Sequence, residues 1–156
     1  MDCDICSKAG DYWDFLIYEE KHWTVYLSPN QAYLGRCAVI LNQHVEDMTD
    51  LTGEQWRNFA KVSGIMESAI RKAFNATLFN WSCLMNNAFL KKEPHPHVHW
   101  HMRPRYNGTR KFDGRVFDDR EFGHHYDEKK NTSLDKISLQ RIADAIKDSI
   151  GLPNQL

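Results

Sequence analysis

The chain lacks a hydrophobic run long enough to span a bilayer. Its N-terminus, Met1 to Ser7, carries two Asp and two Cys where a secretory signal would carry a basic stretch and an apolar core. A cytoplasmic location is the resulting expectation. Charge of one dominant sign is also missing: 20 Lys and Arg against 21 Asp and Glu leave a formal charge of −1. Such a balance argues against a protein that coats nucleic acid or an anionic membrane. Cysteines are few, and the four present without a signal peptide do not read as a disulfide framework. Cys37 and Cys83 lie inside apolar runs, where they read as small buried hydrophobes. No internal repeat, low-complexity tract or linker divides the chain. What is present is core material: 42% hydrophobic and 12% aromatic residues in 156 suffice for one core, so a single domain spanning 1–156 is expected.

Half of the eight histidines fall in one stretch, His95-Pro-His97-Val-His99-Trp-His101-Met-Arg-Pro-Arg105. Side chains alternate across a strand, so an extended segment places all four imidazoles on one side and Val98, Trp100 and Met102 on the other. A helix would scatter the rings, and Pro94 and Pro96 disfavour one. Three successive same-face residues span about 13 Å, so His97, His99 and His101 cannot converge on one metal ion with bonds near ~2 Å.

Around this stretch the pattern predicts an α+β chain. Tyr12 to Tyr18 and Trp23 to Leu27 read as a hairpin, and Arg36 to Leu41 follows Ser28-Pro29-Asn30-Gln31 and Gly35 as a third strand. A long helix is predicted from about Thr52 to Phe74. Thr52 and Gln55 fit a capping box, and Trp56, Phe59, Val62, Met66, Ile70 and Ala73 form an apolar stripe. Leu78 to Met85 reads as a strand that a polar bend at Lys91, Lys92 and Glu93 returns into the histidine strand. From about 104 to 135 a long loop interleaves Arg105, Arg110, Lys111, Arg115 and Arg120 with Tyr106, Phe112, Phe117, Phe122 and Tyr126. It is either a surface loop pinned by its aromatics or a nucleotide contact that pairs phosphate and stacks a base. A C-terminal helix, about 138–150, ends at the stop signal of Gly151 and Pro153. Cys3 and Cys6 form a Cys-x-x-Cys pair that fits two ligands of a tetrahedral zinc, and His44, after the third strand, stands where a third ligand can come from.

His97-Val-His99-Trp-His101-Met-Arg-Pro104-Arg105 resembles the signature of the histidine triad (HIT) family, three alternating histidines followed by two residues and often Pro-Arg. The likeness extends to the Cys pair, the Gly35 to His44 strand and loop, the long helix, and Asn86, thirteen positions before His99. Aligning on Pro104-Arg105 leaves His95 as the extra histidine. The resemblance implies a HIT-like fold, with an antiparallel sheet of about five strands, one long helix and a C-terminal helix. It further implies a nucleotide hydrolase that cleaves at the α-phosphate of dinucleoside polyphosphates or adenylylated small molecules through a nucleotidyl-histidine. A non-catalytic nucleotide-binding or regulatory module is the alternative.

In that frame His99 is the nucleophile and His101 a donor to a phosphate oxygen or leaving group. Asn86 and Arg105 are phosphate contacts, and Ser28 or Asn30 meets the ribose. A structural zinc is implied on Cys3, Cys6, His44 and His97, with His95 competing as fourth ligand. The partner is an adenine-containing nucleotide, and the assembly a homodimer built on the long helix and a sheet edge. Many members carry a Gly-Gln-Ser/Thr segment before the triad; here the residues are Lys91-Lys92-Glu93-Pro94, which removes or replaces those leaving-group contacts. Histidine rather than glutamine at the third triad position favours hydrolysis over transfer.

Overall fold

The computed structural model describes residues 3–10 and 13–151. Asp11 and Tyr12, at the start of the first expected strand, and Pro153 of the stop signal lie outside the described residues. Five antiparallel strands, β1 (Leu16–Glu19), β2 (Trp23–Leu27), β3 (Cys37–Leu41), β4 (Leu78–Ser82) and β5 (His99–Arg105), form one sheet in the order β1-β2-β3-β5-β4. The first, third and fourth strands are shorter than their apolar runs suggest, because ladder pairing rather than hydrophobicity ends them.

Two helices cover one face of the sheet. Helix α1 (Gly53–Phe74) opens on the expected capping box: the Thr52 hydroxyl accepts from the Gln55 amide, and the Gln55 side chain accepts from the Thr52 amide. It ends at Asn75, whose left-handed backbone satisfies the last turn. Val62, Met66 and Ile70 of its stripe are fully buried against Trp23, Val25, Val39 and Met102, and helix α2 (Lys136–Ser149) adds Leu139, Ile142 and Ile146. Fully burying aliphatic side chains of this kind contributes roughly 1.5–3 kcal/mol each. Although α1 has 22 residues, no helix among the described residues is long and apolar enough to cross a membrane.

The predicted 104–135 loop is more ordered than expected. Arg105 ends β5, and a hairpin of β6 (Arg110–Phe112) and β7 (Arg115–Phe117) follows. Its turn, Asp113-Gly114, has φ of 50° and 71°, the positive pair that a two-residue hairpin turn needs. Pro104, without an N–H to donate, falls beyond the last β3–β5 pair, Cys37 with Met102, where β5 is bonded on the β4 side only.

Candidate active site and metal centre

Parity along two neighbouring strands builds the site. Val98, Trp100 and Met102 pack into the core as expected, so His99, His101 and Arg103 face the other way. On β3 Ala38 and Ile40 stand opposite His101 and His99. These residues line a cavity of about 540 Å³ together with Ile5 and Trp13 of the N-terminal segment. The Trp13 ring meets Tyr26 edge-on at 5.1 Å, which fixes an aromatic wall.

The His99 and His101 rings are 5.0 Å apart and nearly perpendicular. His99 Nδ1 lies 2.7 Å from the His97 carbonyl. A carbonyl can only accept, so Nδ1 carries the hydrogen and Nε2 is left with a free lone pair. Burial lowers the His99 pKa below the ordinary histidine range, against the opposing pull of the His97 carbonyl. His101 is pushed down to about 3, first by burial and then by His99, Arg103 and Arg36, with the Leu84 carbonyl working against them. Both imidazoles are therefore neutral near pH 7. His101 Nδ1 is buried with no hydrogen-bond partner among the described residues.

At the mouth of β5 the structure gathers Cys3, Cys6, His44 and His97 with all four ligand atoms within 4.8 Å of one another. The His97 Nδ1 atom is 3.6 Å from Cys3 Sγ, 3.5 Å from Cys6 Sγ and 3.3 Å from His44 Nδ1, and His44 Nδ1 is 3.4 Å from Cys6 Sγ. Zinc bonds of about 2.0–2.1 Å to nitrogen and about 2.3 Å to sulfur make tetrahedron edges of roughly 3.3–3.8 Å, and these four separations fall in that range. Both imidazoles are turned for it. His97 Nε2 donates to the Leu41 carbonyl at 2.7 Å, and His44 Nε2 faces a Glu46 carboxylate oxygen at 3.4 Å, which leaves each Nδ1 a lone pair for a metal. The Cys6 thiol is raised above its ordinary value by burial first and by Cys3 second, the direction a coordinated cation would reverse.

Of His95 and His97, it is His97 that the backbone brings to the cysteines. The segment before β5 is not laddered like the strand: Val98 accepts from Leu41 and donates to Val45, which swings His97 onto the cysteines. His95 stays at the rim, its Nδ1 3.7 Å from Glu46.

Asn86 lines the cavity at the head of a short 3₁₀ turn, Asn86–Leu90, and Lys91 lines it with its ammonium 2.6 Å from Asp4. Three predicted contacts, Arg105, Asn30 and Ser28, are not among the residues that line this cavity. Arg105 is 2% exposed and its guanidinium is spent on Asp119, Asn80 and the His124 carbonyl. Asn30 is used locally, accepting from the Ala32 and Thr132 amides and donating to the Lys130 carbonyl. Ser28 is buried at the end of β2, its amide donating to the Arg36 carbonyl, and is not among the cavity-lining residues. Conversely Arg36, Arg103, Ile5 and Trp13 line the cavity without having been singled out in the sequence. The signal for Arg103 was its shared parity with the histidines.

Comparison with known proteins agrees with this architecture. Residues 10–108 match the family described as HIT domain. The chain is 28% identical over 123 residues to an uncharacterised HIT-like protein of Methanocaldococcus jannaschii, covering 78% of this chain and 84% of that one. Among solved structures it resembles a hypothetical histidine triad nucleotide-binding protein of Sulfolobus tokodaii, with TM-score 0.67, 18% identity and coverage of 95% and 89%. It also resembles a zinc-bound histidine triad family protein of Mycobacterium smegmatis, with TM-score 0.56, 22% identity and coverage of 94% and 91%.

Proposed function

The chain belongs to the HIT-domain family, and on that premise we propose that it is a nucleotide hydrolase acting at an α-phosphate through a nucleotidyl-histidine on His99. The observation that carries this reading is the His99 Nδ1–H held on the His97 carbonyl, which leaves a neutral, unprotonated Nε2 on a ring that lines the cavity. Nε2 attacks the α-phosphorus; a P–N bond forms as the P–O or P–N bond to the leaving group breaks. Water then attacks the same phosphorus and returns the electron pair to Nε2. His101 serves as a donor to a phosphoryl oxygen or to the leaving group. Asn86 adds an amide to the same phosphate, and the apolar wall of Ile5, Trp13 and Ile40 suits a nucleobase, adenine being the proposed one.

Cys3, Cys6, His44 and His97 fit zinc in donor set and spacing. With four protein ligands the ion would have no open position, so the chemistry it supplies is structural. Cys3 and Cys6 bracket Ile5, and His97 supplies the carbonyl that orients His99. The proposed assembly is a homodimer through the free edge at β4 and the outer face of α1.

The test is His99→Asn in the zinc-loaded protein, assayed on a diadenosine polyphosphate and an adenosine phosphoramidate. Turnover should vanish with the zinc content intact, and a 32P adduct should be trapped on wild-type His99 only. Loss of metal from the variant would place His99 in the metal centre and sink the assignment. No turnover of either compound by the wild type would instead leave a binding module.

A further inference from the structure

We propose that Arg36 and Arg103 form an anion subsite beside His101 that receives a phosphate of the leaving group, so that the substrates are nucleotides joined to further phosphates rather than to amines. This deepens the hydrolase reading and rests on it.

The register places the two arginines together. The last β3–β5 pair is Cys37 with Met102, and Arg36 and Arg103 are the next residues on either side of it, past the end of that ladder. Alternation puts Arg36 on the face of Ala38 and Ile40, and Arg103 on the face of His99 and His101; all six line the cavity. Two like charges brought to one cavity wall repel one another. Arg103 is nonetheless buried and held: its Nη1 donates to Ser82 Oγ at 2.9 Å, and its guanidinium stacks 4.0 Å over the Tyr126 ring. Arg36 Nε is buried with no hydrogen-bond partner among the described residues. The cavity's carboxylates are Asp4, bound by Lys91, and the exposed Glu128.

A phosphate bound between the two guanidinium groups removes their repulsion. Fork-shaped donors match phosphate oxygens, and a phosphate on this spot lies about 6–7 Å along the strand from His101. There it continues a chain whose α-phosphorus sits at His99. This also supplies what Lys91-Lys92-Glu93-Pro94 does not. A phosphate leaves as an anion and needs cationic partners. An amine needs a proton, which neither arginine provides.

The experiment titrates inorganic tripolyphosphate into the zinc-loaded full chain by calorimetry. Diadenosine tetraphosphate and adenosine 5′-phosphoramidate are then compared kinetically, for wild type, Arg36→Gln and Arg36→Lys. Arg36→Gln should weaken tripolyphosphate binding and lower kcat/KM for the diadenosine compound by about 10- to 100-fold, the scale of a lost charge-assisted hydrogen bond. Its effect on the phosphoramidate should be at least ~10-fold smaller, and Arg36→Lys should recover part of the loss by restoring charge without the fork. Equal losses on both substrates, or undiminished tripolyphosphate binding, overturn the subsite. If the wild type turns over neither compound, the hydrolase reading fails, and the titration alone then decides. Binding that is lost in Arg36→Gln upholds the subsite, and absence of binding by the wild type overturns it.

Discussion

The strand that carries His99 and His101 is anchored at both ends, by opposite means. Before its first residue, His97 joins Cys3, Cys6 and His44 in a cluster whose donors stand at metal-binding distances. At its last residue, Arg105 is closed on Asp119 by a bidentate ion pair in which both side chains are 2% exposed, at 2.7 and 3.0 Å. The first anchor ties in a segment more than 90 residues away and depends on deprotonated thiols. The second spans 14 residues, is complete within the protein, and adds Asn80 and the His124 carbonyl as further acceptors. The contrast separates two jobs: one anchor is conditional and adjoins the cavity, the other is permanent and remote from it.

The permanent anchor gives the largest expected effect. Asp119→Ala leaves a buried guanidinium without its carboxylate, and removing one partner of a buried pair costs roughly 3–5 kcal/mol. Urea unfolding should show that loss equally with and without zinc. A loss that appears only in the zinc-free protein would mean the two ends are one unit. Removing the metal comes second. A ligand bound only by the folded state stabilises it by about 2.7 kcal/mol at a free concentration 100 times its Kd, so a chelator should lower the unfolding midpoint by a corresponding amount. Asp119→Ala and chelation should add, since the sites share no partners.

The two anchors also differ in how far the sequence discloses them. Local patterns were sufficient for α1, where the capping box and the three-and-four stripe are both present, and for the parity that sends Val98 and Met102 inward. The Cys3 and Cys6 pair is legible from ligand spacing, whereas His44 joins it only through the resemblance to the histidine triad family. Arg105 reads in the sequence as a substrate contact but is closed on Asp119 in the fold, a partner that lies beyond an intervening hairpin in a stretch with no periodicity to place it. Arg36 was missed because its face is defined only once β3 is in register with β5. Such errors share a physical cause: long-range register decides them, and alternation within one segment cannot.

The pH response separates the histidines between the anchors from the anchors themselves. His101 has its pKa depressed to about 3 in the folded chain, against about 6.5 for an unperturbed histidine. Between those values the unfolded chain binds the extra proton, so stability is fully present above about pH 6.5 and falls as the pH drops toward 3. From pH 7 to 5.5 the drop from this one group is about 1 kcal/mol. His101→Gln should flatten that slope in urea titrations, and an unchanged slope would mean that His101 does not carry it.

The smallest effect is expected beside the conditional anchor, and it is the sharpest comparison of all. His95 and His97 are two residues apart, yet His97 is 4% exposed with its Nδ1 in the cluster and its Nε2 on the Leu41 carbonyl, whereas His95 stands 3.7 Å from the rim carboxylate of Glu46. A partly exposed imidazole at that distance from an exposed carboxylate contributes little. His95→Ala should therefore change stability by less than about 0.5 kcal/mol and retain the bound zinc. His97→Ala should release zinc and also slow turnover, because shifting this residue disturbs the carbonyl that holds His99. Metal analysis and kinetics of the two variants side by side would reverse this assignment if His95→Ala were the one to lose zinc. Cys3 and Cys6 would then have to reach the rim rather than the start of β5.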